Sequence, residues 1–362
     1  MYATSKNSVI ETTLHRTQTA PYKTIVICRR MATCDILFAD HGFHQKPKTF
    51  EKTQKRKRAF MGSVLVRAAC FAAIILLGYI LRRIGVFHAE DFGVLSRIVL
   101  KITLPAAIVV SFSGKEIAPS MLFICVLGFG FGALYVVLAA LMGRGKPPEK
   151  RAFDVLNLPG YNIGNFTLPF VQSFLGPAGV ITTSLFDTGN AFICLGGAYG
   201  IARMIQQRER FSFARIGKAL LRSVPFLTYI VMTVLALAHL ALPQPVVEFA
   251  QIAANANAFL AMLMIGIGFR VNCDREHLFH IVRILSVRYG IAVLGSLVCW
   301  FVLPLPLESR QALTLLVFSP IGSAAPAFTA ELKNDIGLSS AVNSISILIS
   351  IFCITVLLAV ML

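Results

Sequence analysis

The sequence has few charged residues: Asp, Glu, Lys and Arg make up 14% of its 362 residues, whereas 56% are hydrophobic. A soluble domain of this length cannot bury so much apolar surface, and apolar stretches of about 20 residues recur along the chain. After residue 61 the chain lacks a long polar segment, which argues against a separate sensor domain. The composition therefore predicts an all-α polytopic membrane protein with the lipid bilayer as its first partner.

Motifs for metal or catalytic chemistry are also scarce. The eight cysteines show no paired spacing typical of zinc sites or disulfide frameworks, and six of them lie in or beside apolar stretches, where cysteine packs as a small hydrophobic residue. The His-Glu-x-x-His string of a zinc protease does not occur. The sequence therefore predicts no cofactor and no metal, and an intramembrane enzyme is the less favoured class of function.

Positive charge is the exception, with a formal net charge of +17. Residues 1–60 carry 12 Lys/Arg and 4 Asp/Glu, and in residues 61–362 the positive excess lies between apolar segments, as membrane topology requires. This distribution predicts no nucleic-acid partner. Residues 1–60 are expected to be either a disordered basic appendage or the product of an upstream start assignment, with Met61 as initiator, and residues 61–362 form the body.

The body can be divided into ten spans of about 20 residues joined by short loops. The predicted spans are 62–81, 94–113, 119–142, 152–175, 178–202, 219–241, 246–270, 280–303, 311–331 and 338–362. Lys and Arg are concentrated in the odd-numbered loops, beginning with Arg82 and Arg83 after the first span. Because short basic loops stay on the cytoplasmic side, both ends of the body are predicted to face outward.

Two predicted spans are interrupted by proline and glycine. The fourth contains 158-LPGYNIGNFTLPF-170 and the ninth contains 319-SPIGSAAPAF-328. Proline removes a backbone donor and clashes with the preceding turn, so unpaired backbone groups are expected there at membrane depth. Each break falls in the fourth of five spans, which indicates two inverted five-helix repeats, 61–203 and 215–362, whose breaks meet near the midplane. The alternative is that these residues merely kink packed helices.

Several short motifs of the body are similar to those of one known family. They are Leu104-Pro105-Ala106, Asn162 to Pro169, Asp187 to Asn190, Ile265-Gly266, and Pro320 to Pro326 running into Asn343. On these residues, the chain from about 61 to 362 resembles the auxin efflux carrier family, which includes plant PIN carriers and bacterial malate or malonate permease-like proteins. It departs from the family's usual Asn-x-Gly-x-x-Gly-x-Pro, because Thr167 replaces the last glycine and polar Asn165 stands where an apolar residue is frequent.

The resemblance implies a fold similar to sodium/proton antiporters, with ten helices of which the fourth and ninth cross as broken helices. Spans one, two, six and seven would form a scaffold, and the remaining spans would form a transport domain that moves like an elevator. The implied substrates are small carboxylates or indole acids, the implied location is the plasma membrane or a bacterial inner membrane, and the implied assembly is a homodimer.

We expect the substrate site at the crossing of the two breaks. Unpaired N–H groups and asparagine amides there suit a carboxylate, and small residues let the backbone approach a ligand. The predicted substrate-binding residues are Asn162, Gly164, Asn165, Thr167, Pro169, Pro320, Gly322, Ser323 and Pro326. The alternative for either asparagine is a helix-to-helix hydrogen bond that satisfies the broken backbone.

A second group of polar residues suggests ion coupling. Asp187 is the only acid deep within the apolar stretches of the body, with Asn190 beside it and Asn343 at a similar place in the tenth span. An intramembrane acid is a functional hypothesis by default, here for carrying a proton or holding sodium, and a structural acid is the alternative. Arg288, deep in the eighth span, is interpreted as the partner of an acid or as an attractor of anions.

Together these patterns predict a secondary transporter of a small organic anion, such as a carboxylate or auxin-like acid, that works by alternating access. The alternatives are an uncoupled uniporter, a channel-like protein or a sensor with the same fold.

Overall fold

The computed structural model describes residues 48–88, 90–115, 117–270 and 275–361. The prediction for residues 1–60 therefore falls largely outside the described residues. The chain divides into two compact units, Met1–Lys55 and Arg56–Leu362, and every site described below lies in the second.

Apart from loops, every described segment is helical. The α-helices are α1 (Lys48–Arg83), α2 (Asp91–Ile98), α3 (Leu104–Phe112), α4 (Phe123–Met142), α5 (Pro148–Asn157), α6 (Leu168–Phe174), α7 (Gly176–Phe192), α8 (Ala198–Gln207), α9 (Phe213–Arg222), α10 (Val224–Leu237), α11 (Gln244–Asn255), α12 (Asn257–Gly268), α13 (Arg275–Leu297), α14 (Leu307–Leu316), α15 (Ala325–Glu331) and α16 (Ile336–Met361). Single π-helical turns join several of them, and a 3₁₀ turn at Pro119–Leu122 leads into α4.

Seven continuous helical stretches of the described chain are long and apolar enough to cross a membrane. They are Leu65–Arg83, Asp91–Phe112, Pro119–Met142, Gly176–Gln207, Gln244–Gly268, His277–Val302 and Ile336–Met361. Each overlaps one of the ten predicted spans, so the prediction of an all-helical polytopic membrane protein is confirmed, whereas the count of ten is not. The two predicted spans with prolines and glycines do not pass as continuous helices.

The predicted sixth span, 219–241, differs from the structure. It divides at Ser223 into α9 and α10, which meet at an angle of 80° and count as an eighth candidate only if the pair is taken as one span. The bend has a local cause. Ser223 accepts a hydrogen bond from the Phe226 N–H at 3.4 Å as the N-cap of α10, and Pro225 in the first turn cannot continue a helix from α9.

The first break lies between α5 and α6. Helix α5 ends at Asn157, just before Leu158-Pro159-Gly160, and Gly160 adopts φ +78°, a left-handed conformation that favours glycine. A Cβ at Gly160 would stand 2.7 Å from the Cys194 sulfur, so the turn also needs the missing side chain for space. The chain then re-enters a helix through the π-helical turn Ile163–Thr167.

The second break lies between α14 and α15. Helix α14 ends at Leu316, and the chain stays largely non-helical until α15 begins at Ala325 with Pro326 in its first turn. Both breaks thus leave a stretch of backbone without helical hydrogen bonds inside the protein, as the proline and glycine pattern predicts.

Close helix contacts surround the breaks. Gly128 on α4 and Gly189 on α7 each press against backbone of the facing helix, and Gly78 on α1 does the same with Gly266 on α12. Glycine at these positions lets the helix backbones approach more closely than any side chain would allow, as in other membrane helix pairs.

Candidate functional site

The two breaks contact each other directly. The Asn162 N–H donates to the Pro320 carbonyl at 2.9 Å, and the Thr167 and Ser319 hydroxyls are 2.6 Å apart. The Asn165 side-chain amide also donates to the Ser323 hydroxyl, at 3.4 Å. The crossing inferred from the sequence is therefore a hydrogen-bonded contact between segments about 160 residues apart in the chain.

A single buried arginine pairs the free carbonyls of both breaks. Arg288 on α13 is 0% exposed. Its guanidinium donates to the carbonyls of Leu158 (2.6 Å) and Gly160 (2.9 Å) in the first break. It also donates to Ser319 (2.8 Å) and Pro320 (3.2 Å) in the second. Arginine suits this role because its planar fork presents five donors in fixed directions.

The charge of Arg288 has no acidic partner. Its guanidinium lies 5.3 Å from the Tyr135 ring centre and 4.9 Å from that of Tyr161, and no described Asp or Glu forms an ion pair with it. Pairing with an acid is one of the two roles that the sequence suggests for Arg288. In the structure its partners are carbonyl oxygens and aromatic faces. These groups stabilise the cation without an ion pair.

Helix α7 holds the first break through one asparagine. The Asn190 side-chain oxygen accepts the Tyr161 N–H at 3.0 Å, and its nitrogen donates to the Tyr161 carbonyl at 3.0 Å. The same nitrogen donates to Asp187 Oδ1 at 2.9 Å, and the Tyr229 hydroxyl of α10 donates to Asp187 Oδ2 at 3.0 Å. Asp187 is therefore a half-buried acid held by two donors, neither of which is a cation.

Helix α16 holds the second break through three residues, of which Ser350 donates to the Phe318 carbonyl at 2.6 Å. Ser346 accepts the Ile321 N–H at 3.1 Å, and Asn343 donates to the carbonyls of Ile321 (3.1 Å) and Gly322 (3.2 Å). The spacing from Asn343 to Ser346 is three residues, the same as from Asp187 to Asn190. Asn190 and Ser346 each accept a backbone N–H of a break, whereas of Asp187 and Asn343 only Asn343 bonds to broken backbone.

Two cavities border the crossing and share Asn162 and Ser323 in their walls. The Asp187 cavity, of about 150 Å³, is also lined by Gly164, Asn165, Asp187, Asn190, Tyr229 and Gly322. The Asn343 cavity, of about 290 Å³, is also lined by Arg270, Pro326, Asn343 and Ser344.

Two amide atoms at the crossing lack a hydrogen-bond partner. Asn162 is 5% exposed and its side-chain nitrogen is unpaired, and Asn165 is 4% exposed with its side-chain oxygen unpaired. A buried polar atom without a partner costs about 1–3 kcal/mol, so such atoms need a reason. Here both belong to cavity walls, where a bound ligand would supply an acceptor for Asn162 and a donor for Asn165.

Three predicted substrate residues lie in the crossing itself and outside both cavity walls. Thr167 is fully buried against Ser319, Pro169 is buried in the first turn of α6, and Pro320 supplies the carbonyl that Asn162 and Arg288 share. Gly164 lines the Asp187 cavity, but a Cβ there would stand 2.7 Å from Leu104, so its small size also serves helix packing.

Three residues of the site carried a weaker signal in the sequence. Tyr229 is a tyrosine inside an apolar span, whose hydroxyl needs a partner when buried. Cys194 lines the Asp187 cavity and lies 3.3 Å from the Asn190 side-chain oxygen. Arg288 stood out as a deep cation, but the sequence does not show that its partners are carbonyls of both breaks.

Asp154 forms a separate cluster near the basic ends of the helices. Its carboxylate is buried, and the residue is 1% exposed. His280 and Arg283 of α13 each lie 2.6 Å from its carboxylate, and Lys146 lies at 3.3 Å. This cluster and Arg288 together fasten α13 to α5.

Comparison with known proteins supports a transporter. An uncharacterized transporter of Methanothermobacter thermautotrophicus is 26% identical over 138 residues, which make up 37% of this chain and 45% of that protein. The chain thus spans about half the length of the curated relative it matches. Residues 67–212 match the model of a family described as membrane transport protein, which is a family of transporters and not of enzymes. The predicted resemblance to the auxin efflux carrier family is thus confirmed by the match over residues 67–212.

Proposed function

We propose that this chain is a secondary transporter of a small organic anion, such as a carboxylate or an auxin-like acid, and that the anion binds at the crossing of the two breaks. The observation that carries the proposal is Asn162, whose buried and unpaired amide nitrogen lies on a wall common to both cavities. Alternating access requires a substrate-binding group that can be reached from one cavity and then from the other.

The charge of the site favours an anion. Arg288 donates to carbonyls of both breaks and forms no ion pair with a described acid, so its positive charge is kept at the crossing. The field of a buried cation is weakly screened, so it favours a negative ligand a few ångströms away without touching it. Arg270, in the wall of the Asn343 cavity, adds a second positive charge on the path to the site.

The architecture proposed for this function is two inverted five-helix repeats. Counting the two broken spans with the eight other candidates gives ten. The correspondence of Asp187 with Asn343, and of Asn190 with Ser346, supports the repeat. In the elevator arrangement implied by the resemblance, the Tyr229–Asp187 hydrogen bond joins the scaffold to the transport domain and breaks during transport.

Asp187, Asn190 and Asn343 are the proposed ion-coupling residues. Asp187 lies in the same cavity as Asn162, so a proton or sodium ion on its carboxylate would alter the electrostatic environment of the anion. An uncoupled uniporter, a channel-like protein or a sensor is the second candidate, because neutral donors alone satisfy Asp187.

The remaining features of the proposal follow from the loop charges and the resemblance. The body ends face outward, the host membrane is the plasma membrane or a bacterial inner membrane, and the assembly is a homodimer formed through the scaffold. The body begins near residue 61 and divides into repeats at 61–203 and 215–362.

Transport in proteoliposomes tests the function. The purified chain is reconstituted and exposed to labelled dicarboxylates and indole acids, with an imposed proton gradient, an imposed sodium gradient or neither. Accumulation that follows one gradient supports a coupled transporter, and equilibration without accumulation supports a uniporter. No movement of either substrate class above empty liposomes would contradict the proposed function.

A further inference from the structure

An apolar cavity lies away from the crossing, under the short helix α9. Its volume is about 370 Å³, and it is enclosed by α4, by the π-helical turn Ile193–Gly197 and by α9. Phe129, Val137, Ile193, Phe213, Ile216 and Leu220 form most of its wall. The cavity thus offers almost no polar partner to a ligand, unlike the two cavities at the crossing.

Helix α9 has two contrasting faces. Phe213, Ile216, Gly217 and Leu220 follow the i, i+3, i+4, i+7 spacing of one helical face and line the cavity. The opposite face carries Arg215, Lys218 and Arg222, and α9 contains no acidic residue. The nearby Glu209 pairs with Arg203 and Arg215, so Lys218 and Arg222 keep their charge free of described acids.

The angle between α9 and α10 and the exposed apolar residues of α9 bear on where this helix lies. It makes an angle of 80° with α10, so if α10 crosses the membrane, α9 lies nearly parallel to the surface. Phe213 at one end is 81% exposed and Leu221 at the other is 68% exposed, although both are apolar. A helix with a basic face, an apolar face and exposed apolar residues is typical of binding at the boundary between lipid headgroups and acyl chains.

We infer that the cavity under α9 binds an acidic phospholipid, with an acyl chain in the cavity and the headgroup near Lys218 and Arg222. The apolar lining matches an acyl chain, and the unpaired basic residues match an anionic headgroup. This site is separate from the crossing and does not depend on the proposed transport function.

Native mass spectrometry of the full chain in detergent tests the inference with phosphatidylglycerol and phosphatidylcholine of identical acyl chains. We expect phosphatidylglycerol to bind more tightly, by about fivefold for each of the two basic residues. The Lys218→Gln/Arg222→Gln variant should bind both lipids equally. Equal binding of the two lipids by the parent would overturn the inference.

A matched pair of glycine variants tests the cavity itself. A Cβ at Gly217 meets no atom within 4 Å, so Gly217→Leu extends into the cavity without a clash, and it should weaken phosphatidylglycerol binding at least about tenfold. Gly130→Leu on the exposed side of α4 also meets open space but lies outside the cavity wall, and it should bind as the parent does. Equal binding of phosphatidylglycerol by the two variants would overturn the inference. So would a Gly217→Leu spectrum in which the protein dimer disappears while the lipid adduct remains.

Discussion

Both breaks leave backbone N–H and carbonyl groups without helical hydrogen bonds, and different side chains pair with these groups in the two breaks. In the first, the Asn190 side chain pairs with both the N–H and the carbonyl of Tyr161, and the Cys194 thiol adds a weak donor to that carbonyl at 3.7 Å. In the second, the work is divided, because Ser346 accepts the Ile321 N–H and Asn343 donates to the carbonyl. Three residues before Asn190, as Asn343 is before Ser346, lies Asp187, which makes no hydrogen bond to the broken backbone.

This difference explains why an acid is present in only one half. Since Asn190 pairs with both backbone groups of Tyr161, the position three residues earlier is not needed for the break and can carry a carboxylate. In the second half a carboxylate at Asn343 would face the Ile321 and Gly322 carbonyls, an arrangement of like partial charges that buried groups avoid. In both halves, polar side chains of a neighbouring helix pair with the broken backbone. In the first half, Asp187 adds a titratable group.

The largest expected effect comes from replacing Arg288, which donates hydrogen bonds to carbonyls of both breaks. Arg288→Gln leaves buried carbonyls of both breaks without a charged donor and should lower the free energy of unfolding by about 3–5 kcal/mol. Arg288→Lys keeps the charge but loses the planar fork, so it should recover only part of this stability. Thermal unfolding in detergent measures both, and a parent-like midpoint for Arg288→Gln would contradict the role of this residue.

The next effect separates the two halves. Asn190→Ala leaves the Tyr161 N–H unpaired and its carbonyl with only the weak Cys194 thiol donor, whereas Asn343→Ala leaves only carbonyls, so the first variant should be less stable by about 1–2 kcal/mol. Ser346→Ala combined with Asn343→Ala should match Asn190→Ala, because it removes the same two functions in the second half. Thermal midpoints of the four proteins check this, and equal midpoints for the two single asparagine variants would break the comparison.

Replacing Asp187 tests whether its carboxylate couples transport to an ion gradient. Asp187→Asn should fold normally, since an amide can still meet Tyr229, but its gradient-driven accumulation of substrate should fall about tenfold. Asn343→Asp placed in that variant should not restore accumulation, because the new carboxylate faces carbonyls. Uptake into proteoliposomes with and without the gradient measures this. Full accumulation by Asp187→Asn would show that the carboxylate has no coupling role.

The smallest effect is expected at the contact between α10 and α7. Tyr229→Phe removes one hydrogen bond to Asp187 and should cost about 0.5–1.5 kcal/mol. If this bond breaks during transport, the exchange rate should rise or stay unchanged while thermal stability falls slightly. Tyr289→Phe, which removes hydroxyl contacts with Ser346 and Ser350 outside the scaffold contact, is the matched control. A large loss of transport by Tyr229→Phe alone would assign its hydroxyl to the substrate site.

Much of this organisation could be predicted from the sequence because membranes impose simple rules. Seven spans follow from apolar length, and the breaks follow from prolines at 159, 169, 320 and 326. The bend at Ser223 was missed because α9 and α10 form one apolar stretch when hydropathy is averaged. The partners of Arg288 were missed because backbone carbonyls leave no mark in a sequence, and the partners of Asp187 because Tyr229 lies on another span.

The central claim is that Asn162 binds the transported anion from either cavity. Its most direct test is substrate counterflow in proteoliposomes, comparing the parent with Asn162→Ala at matched protein content and thermal midpoint. Loss of a hydrogen bond to a charged ligand corresponds to about 1.5–3 kcal/mol, so the account predicts that Asn162→Ala exchanges the best anion of the panel at least about tenfold more weakly. Exchange at the parent rate and with parent affinity would contradict it.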